Sequence, residues 1–124
     1  EYNSQELGHL DLYKDIDIAL DTFPYNGVTT SFEAFWMGVP VITMKGYNFN
    51  SRCGESILKN MNLEELISMT VEDYVQKAVN LSKDKSKLLD IRKKIFNNAL
   101  NSPLFDSKSF SRDFYNSLEN TYKN

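Results

Sequence analysis

A chain of 124 residues with 41% hydrophobic and 25% charged content suits one domain, or a large piece of one, with enough Phe and Tyr for a real core. Its net charge of −3, with no Lys/Arg-rich block, argues against nucleic acid as a partner. The single cysteine, Cys53, rules out an internal disulfide and a cysteine-based metal site and fits a reducing, cytoplasmic setting; no apolar run approaches the roughly 18–20 residues that cross a bilayer, so no membrane partner is expected.

In chain order, the first segment, about Ser4 to Lys14, reads as a helix. Ser4 can cap it, and Leu7, Leu10 and Tyr13 recur at helical spacing. Residues 16–21 alternate apolar and polar, then run together, which predicts a buried strand. Pro24, Asn26 and Gly27 break the chain. A helix is expected from Thr30 to Met37, stopped by Gly38. Residues 39–44 form a second strand, with Pro40 at its start, where a missing N–H does little harm. Residues 45–48 are a loop, and a helix from Asn50 to Asn60 puts Cys53, Ile57 and Met61 on one side. Leu66-Ile67 is a short third strand. Thr70 caps a helix whose Val71, Tyr74, Val75 and Ala78 repeat at i, i+3, i+4, i+7. A long helix from Lys85 to Leu100 buries Leu88, Ile91, Ile95 and Phe96. After Pro103, a last helix lines up Phe110, Phe114 and Leu118.

Strands alternating with helices imply βαβ units and a parallel sheet. Two or three strands are few for such a sheet. Residue 1 is Glu. The chain therefore reads as a piece of a longer protein, with earlier strands upstream.

Ligands of open parallel sheets bind beyond the carboxyl ends of the strands. The segment after Asp21 lies at such an end and leads through Gly27 into a helix whose first turn holds Thr29 and Thr30. A helix start offers unpaired N–H groups and about half a positive charge. Gly27 lets backbone approach a ligand closely, and two hydroxyls add donors, so the segment can cradle a diphosphate. Glu33, one turn on, can accept from ribose hydroxyls. A ligand-free reading stands beside this one: Thr30 and Glu33 have the spacing of a capping box. His9 can stack on a base or simply pack at the surface. Arg52 can neutralise phosphate or pair with a local carboxylate. Lys45 reads as solvated, Trp36 and Met37 as core, and Cys53 as a small buried residue. One histidine gives little support to a metal site or a catalytic triad.

Residues 17–30 (DIALDTFPYNGVTT), 33–43 (EAFWMGVPVIT), Ser51-Arg52 and 102–106 (SPLFD) closely resemble the O-linked N-acetylglucosamine transferase family. That family includes Spindly-type fucosyltransferases and many bacterial proteins with tetratricopeptide repeats. The resemblance implies a GT-B fold, two Rossmann-like lobes with the active site between them. It also implies sugar transfer from a nucleotide donor, usually UDP-N-acetylglucosamine, to Ser or Thr of proteins, without a metal or other cofactor. On this reading the whole chain, 1–124, is α/β, the later part of the nucleotide-sugar-binding C-terminal lobe, with a short parallel sheet and a helical extension from about residue 71.

By position, Thr29 and Thr30 match the pair that holds the donor diphosphate, Glu33 an acidic contact to ribose, and His9 a contact to uracil. Val28 stands where the family usually has His, and Glu6 where some members have Lys. The residues that act on the protein acceptor belong upstream, so the chain alone is expected to bind donor and not to catalyse. Two other readings stay open: a degenerate lobe acting as a protein-interaction module, and a protein fucosyltransferase that uses GDP-fucose.

Overall fold

The computed structural model describes residues 8–123. Its centre is β2 (Val41–Met44), whose Val41, Ile42 and Thr43 are buried. Their branched side chains suit a strand covered on both faces. Strand β1 (Ala19–Leu20) pairs with it in parallel, Ala19 opposite Val41. Strand β3 (Ile67–Ser68) pairs in parallel on the other side, Thr43 opposite Ile67. With all three strands parallel, the turns after β1 and β2 rise from the same end of the sheet.

The described residues hold five α-helices, of which α1 (Thr29–Trp36), α2 (Cys53–Asn60) and α3 (Val71–Lys83) pack on the sheet, α4 (Lys85–Asn101) packs on α1 and α3, and α5 (Ser107–Tyr122) follows the turn after α4. Each of the last three starts on a side-chain cap. Thr70 accepts from Asp73 N–H at 3.2 Å, Asp84 from Lys87 N–H at 2.9 Å and Asp106 from Ser109 N–H at 2.9 Å. Helix α1 ends as expected at Gly38, whose φ of 74° is left-handed. A side chain there would also meet the Phe96 ring at 2.6 Å. The core gathers Phe35, Val39, Ile42, Leu58, Met61, Leu63, Ile91 and Ile95, each nearly or wholly buried. Burial of one such side chain stabilises by about 1.5–3 kcal/mol.

Several expectations change. His9–Asp15 is a 3-10 helix; the expected cap Ser4 and the residue Leu7 lie outside the described residues. Only Ala19–Leu20 of the first strand is paired, although the N–H of Asp21 still reaches Ile42 O at 2.9 Å. Leu20 is exposed, and among the described residues β1 lies at the edge of the sheet. The third strand begins one residue late, after a 3-10 turn at Glu64–Leu66. Trp36 is exposed, not core, and leans on Phe105 with ring centres 6.1 Å apart. Phe96 is also exposed, since its ring lies over Gly38 rather than inside. From Val71 on the described chain is helical, as expected; α3 packs on β2 and β3 and buries Tyr74 and Leu81, leaving Val71 and Val75 outside. The stripe of Phe110, Phe114 and Leu118 on α5 is exposed.

Candidate functional site

The segment between β1 and α1 is held from below by Asp21. One carboxylate oxygen accepts from the Gly27 N–H at 2.7 Å and the other from the Thr43 hydroxyl at 2.6 Å. Burial pushes the Asp21 carboxyl above its usual range, and these two donors pull the other way. The Tyr74 hydroxyl donates to the Asp21 carbonyl at 2.7 Å. Buried Asn26 donates its amide to Thr22 O and accepts from the Gly54 N–H at 3.3 Å, while its own N–H donates to Asn50 O. The turn is thereby tied to the start of α2. Gly27 leaves the turn room: a side chain there would meet the Thr30 hydroxyl at 2.5 Å and make it turn away.

The turn delivers Thr29 and Thr30 to the first two positions of α1, both exposed. N–H groups in the first turn of a helix have no acceptor within it. Val28 is the cap residue and makes no side-chain cap. The expected Thr30–Glu33 capping box is therefore absent, because the helix starts one residue earlier and Glu33 is occupied elsewhere. His9 Nε2 lies 3.1 Å from Glu33 Oε1, and the Tyr13 hydroxyl donates to Glu33 Oε2 at 3.5 Å and to Thr30 O at 3.3 Å. Burial, then the nearby Glu33, pushes the Tyr13 hydroxyl up. His9 and Glu33, 24 positions apart, thus form one polar face beside the exposed helix start. The sequence shows neither this pairing nor the part of Tyr13.

Arg52 stands on the other side of α1, at the start of α2. Its Nε donates to Glu55 Oε2 at 2.9 Å, a pairing with a local carboxylate. Lys45 and Lys59 reach Glu55 Oε1 at 3.0 and 2.8 Å, so Lys45 is not simply solvated. The Glu55 side chain is only 5% exposed. Lys59 foremost, with Lys45 and Arg52, outweighs the effect of burial and holds its pKa at about 2. A carboxyl depressed this far contributes stability above its ordinary 4.5 and loses it as pH falls toward 2. Glu55→Gln is expected to cost about 1–2 kcal/mol at pH 7 by leaving three cations short of an acceptor. It should also flatten the acid limb between those pH values, as read by urea unfolding across pH. An unchanged limb would refute the role of Glu55.

Beside this cluster opens a cleft of about 690 Å³, lined among others by Val28, Phe32, Tyr47, Phe49, Arg52, Cys53 and Leu104. Cys53 is half-buried at its wall rather than inside. Val28, the residue before Thr29 and Thr30, is thus also part of the cleft wall.

A parallel sheet with a glycine turn and an open helix start at its carboxyl end is the arrangement of a Rossmann-like lobe. The solved structure of an O-GlcNAc transferase mutant from Thermobaculum terrenum superposes with a TM-score of 0.82 at 39% identity, over 88% of this chain and 21% of that one. The fold is accordingly α/β, part of a GT-B lobe. The model of glycosyl transferase family 41 matches residues 6–114, and the chain belongs to that family. A Hordeum vulgare protein described as a probable UDP-N-acetylglucosamine–peptide N-acetylglucosaminyltransferase SPINDLY is 39% identical over 93% of this chain. A Caenorhabditis elegans UDP-N-acetylglucosamine–peptide N-acetylglucosaminyltransferase is 35% identical over 86%. The chain spans 12% and 9% of the lengths of these two curated relatives. No helix among the described residues is long and apolar enough to cross a membrane.

Proposed function

We propose that this chain is the donor-binding part of a glycosyltransferase that moves N-acetylglucosamine from a UDP-sugar to Ser or Thr hydroxyls of proteins. The observation that carries it is the turn at Gly27, pinned by Asp21 so that the α1 start with Thr29 and Thr30 stays open. The donor diphosphate lies on that start, held by first-turn N–H groups and the two hydroxyls. As the glycosyl bond breaks, negative charge grows on the departing diphosphate, and donors fixed in advance stabilise it without reorganising. Glu33 exchanges its bond with His9 for the ribose hydroxyls, freeing the His9 ring to lie against uracil. Arg52 keeps its outer N–H groups for the far end of the donor. Because the helix start and Arg52 supply the counter-charge, donor binding needs no metal and should be insensitive to a chelator. The reading includes a cytoplasmic setting, with tetratricopeptide repeats and the acceptor-handling lobe elsewhere in the protein; nucleic acid and membranes play no part.

Titration of the chain with UDP, followed by amide shifts, tests this. Shifts should centre on residues 27–33 and His9, and Thr30→Ala should weaken UDP about tenfold, the scale of one lost bond to a charged group. Shifts confined to remote surfaces would sink the reading. Tighter binding of GDP than of UDP would favour a GDP-fucose donor. Binding of neither nucleotide would favour an interaction module.

A further inference from the structure

The Glu33 carboxylate is gripped by two side chains of one short helix. His9 Nε2 lies 3.1 Å from Oε1, and the Tyr13 hydroxyl donates to Oε2 at 3.5 Å. The two grips differ in exposure. The His9 side chain is 55% exposed, so an incoming ligand can replace its bond. The Tyr13 ring is half-buried and packs against the core. Tyr13 also donates to Thr30 O at 3.3 Å, in the first turn of α1. A phenol has one proton for these two acceptors, and neither bond reaches the length of about 2.7–2.8 Å usual for an O–H donor. Burial, then Glu33, pushes the hydroxyl up, so it stays a donor throughout the neutral range. Tyr13, Asp21, Gly27 and Thr30 also line one hollow of about 130 Å³. That is well below the roughly 300–1,000 Å³ of clefts that hold small ligands. Tyr13 thus belongs to the support of the turn rather than to the surface that meets a ligand.

We infer that Tyr13 is a positioning residue for nucleoside recognition: it holds Glu33 Oε2 so that Oε1, once it leaves His9, is presented to the ribose hydroxyls. The inference rests on the donor-binding reading above and adds to it a residue that acts through Glu33 without touching the ligand. A free glutamate side chain turns about several bonds, and ordering it on a ligand weakens binding. Tyr13 removes that freedom beforehand. Through the Thr30 carbonyl, the same hydroxyl ties the carboxylate to the turn that carries the Thr29 and Thr30 hydroxyls. Contacts to ribose and to diphosphate therefore keep a fixed spacing. A residue in this role affects only ligands that have ribose hydroxyls, whereas a residue that merely supports the fold affects all ligands alike.

The test titrates UDP and dideoxy-UDP, which lacks both ribose hydroxyls, into the wild-type chain, Tyr13→Phe, Glu33→Ala and the double variant. Tyr13→Phe keeps the packed ring and loses only the hydroxyl, so its melting temperature should stay near that of the wild type. The wild type should prefer UDP about tenfold. Tyr13→Phe should cut that preference to about threefold by weakening UDP alone. Where Glu33 is already alanine, Tyr13→Phe should change neither affinity, because the carboxylate it positions is gone. Equal weakening of both ligands, no weakening of either, the same loss with and without Glu33, or no preference of the wild type for UDP would overturn the inference while leaving diphosphate binding at Gly27 standing. Failure of the wild type to bind either nucleotide would overturn both readings.

Discussion

Asp21→Ala is expected to lower stability by about 2–3 kcal/mol and to release the Gly27 turn from its anchor. Two effects compete. The buried carboxylate is itself expensive, as its raised pKa records. Removing it relieves that expense but strands the Gly27 N–H and the Thr43 hydroxyl, each costing about 1–3 kcal/mol without an acceptor. Stranding wins because two donors lose their partner at once. Asp21→Asn should fall between, since its amide can still accept from one of them. The pH dependence has the opposite sign to that of Glu55. A folded carboxyl raised above its ordinary 3.8 contributes most below that value and loses it as pH rises through the raised one. Asp21→Asn removes that descending limb. Urea unfolding of the three proteins between pH 3 and 7 measures both effects. A loss under about 0.5 kcal/mol for Asp21→Ala, the scale of an ordinary surface change, would refute its role.

Gly54→Ala should cost a similar amount, about 2–3 kcal/mol, for a purely steric reason. Helix α2 crosses the end of the sheet so closely that a methyl group at Gly54 would lie 2.8 Å from Asp21 Oδ2 and 2.8 Å from Thr43 Cβ. The methyl would press hardest on the Thr43 hydroxyl, which with Asp21 Oδ2 forms one buried hydrogen bond. Neither side chain has room to withdraw, since Thr43 is fully buried and Asp21 nearly so. Adding Thr43→Ala removes the hydroxyl against which the new methyl presses. The double variant should therefore lose less than the sum of the two single ones. Additive losses would show that the methyl group is accommodated by movement of α2 instead.

Much of the architecture could be read from local patterns. The β-branched run at 41–43 and the glycine after α1 each carry their own physical reason, and the parallel sheet followed from the alternation of strands and helices. Thr29, Thr30 and Gly27 were legible as an open helix start for the same reason. What the sequence hid depends on partners distant along the chain. Thr30 and Glu33 have capping-box spacing, yet His9 and Tyr13, far earlier, claim the Glu33 carboxylate. Arg52, Lys45 and Lys59 look like separate surface charges until the buried Glu55 gathers them. Helical spacing placed Phe96 inside, whereas it covers Gly38 from outside. A charged residue closing a buried strand, as Asp21 does, was the one local signal of the hub beneath the turn.

The bond from the Tyr74 hydroxyl to the Asp21 carbonyl joins positions 53 apart. Closing so long a loop carries an entropic cost that nearby contacts avoid. The support of the Gly27 turn from Tyr74 therefore depends on the docking of α3 on the sheet. A chain that ended before residue 74 would keep β1 and α1 but lack the bond that holds the Asp21 carbonyl at the base of the turn.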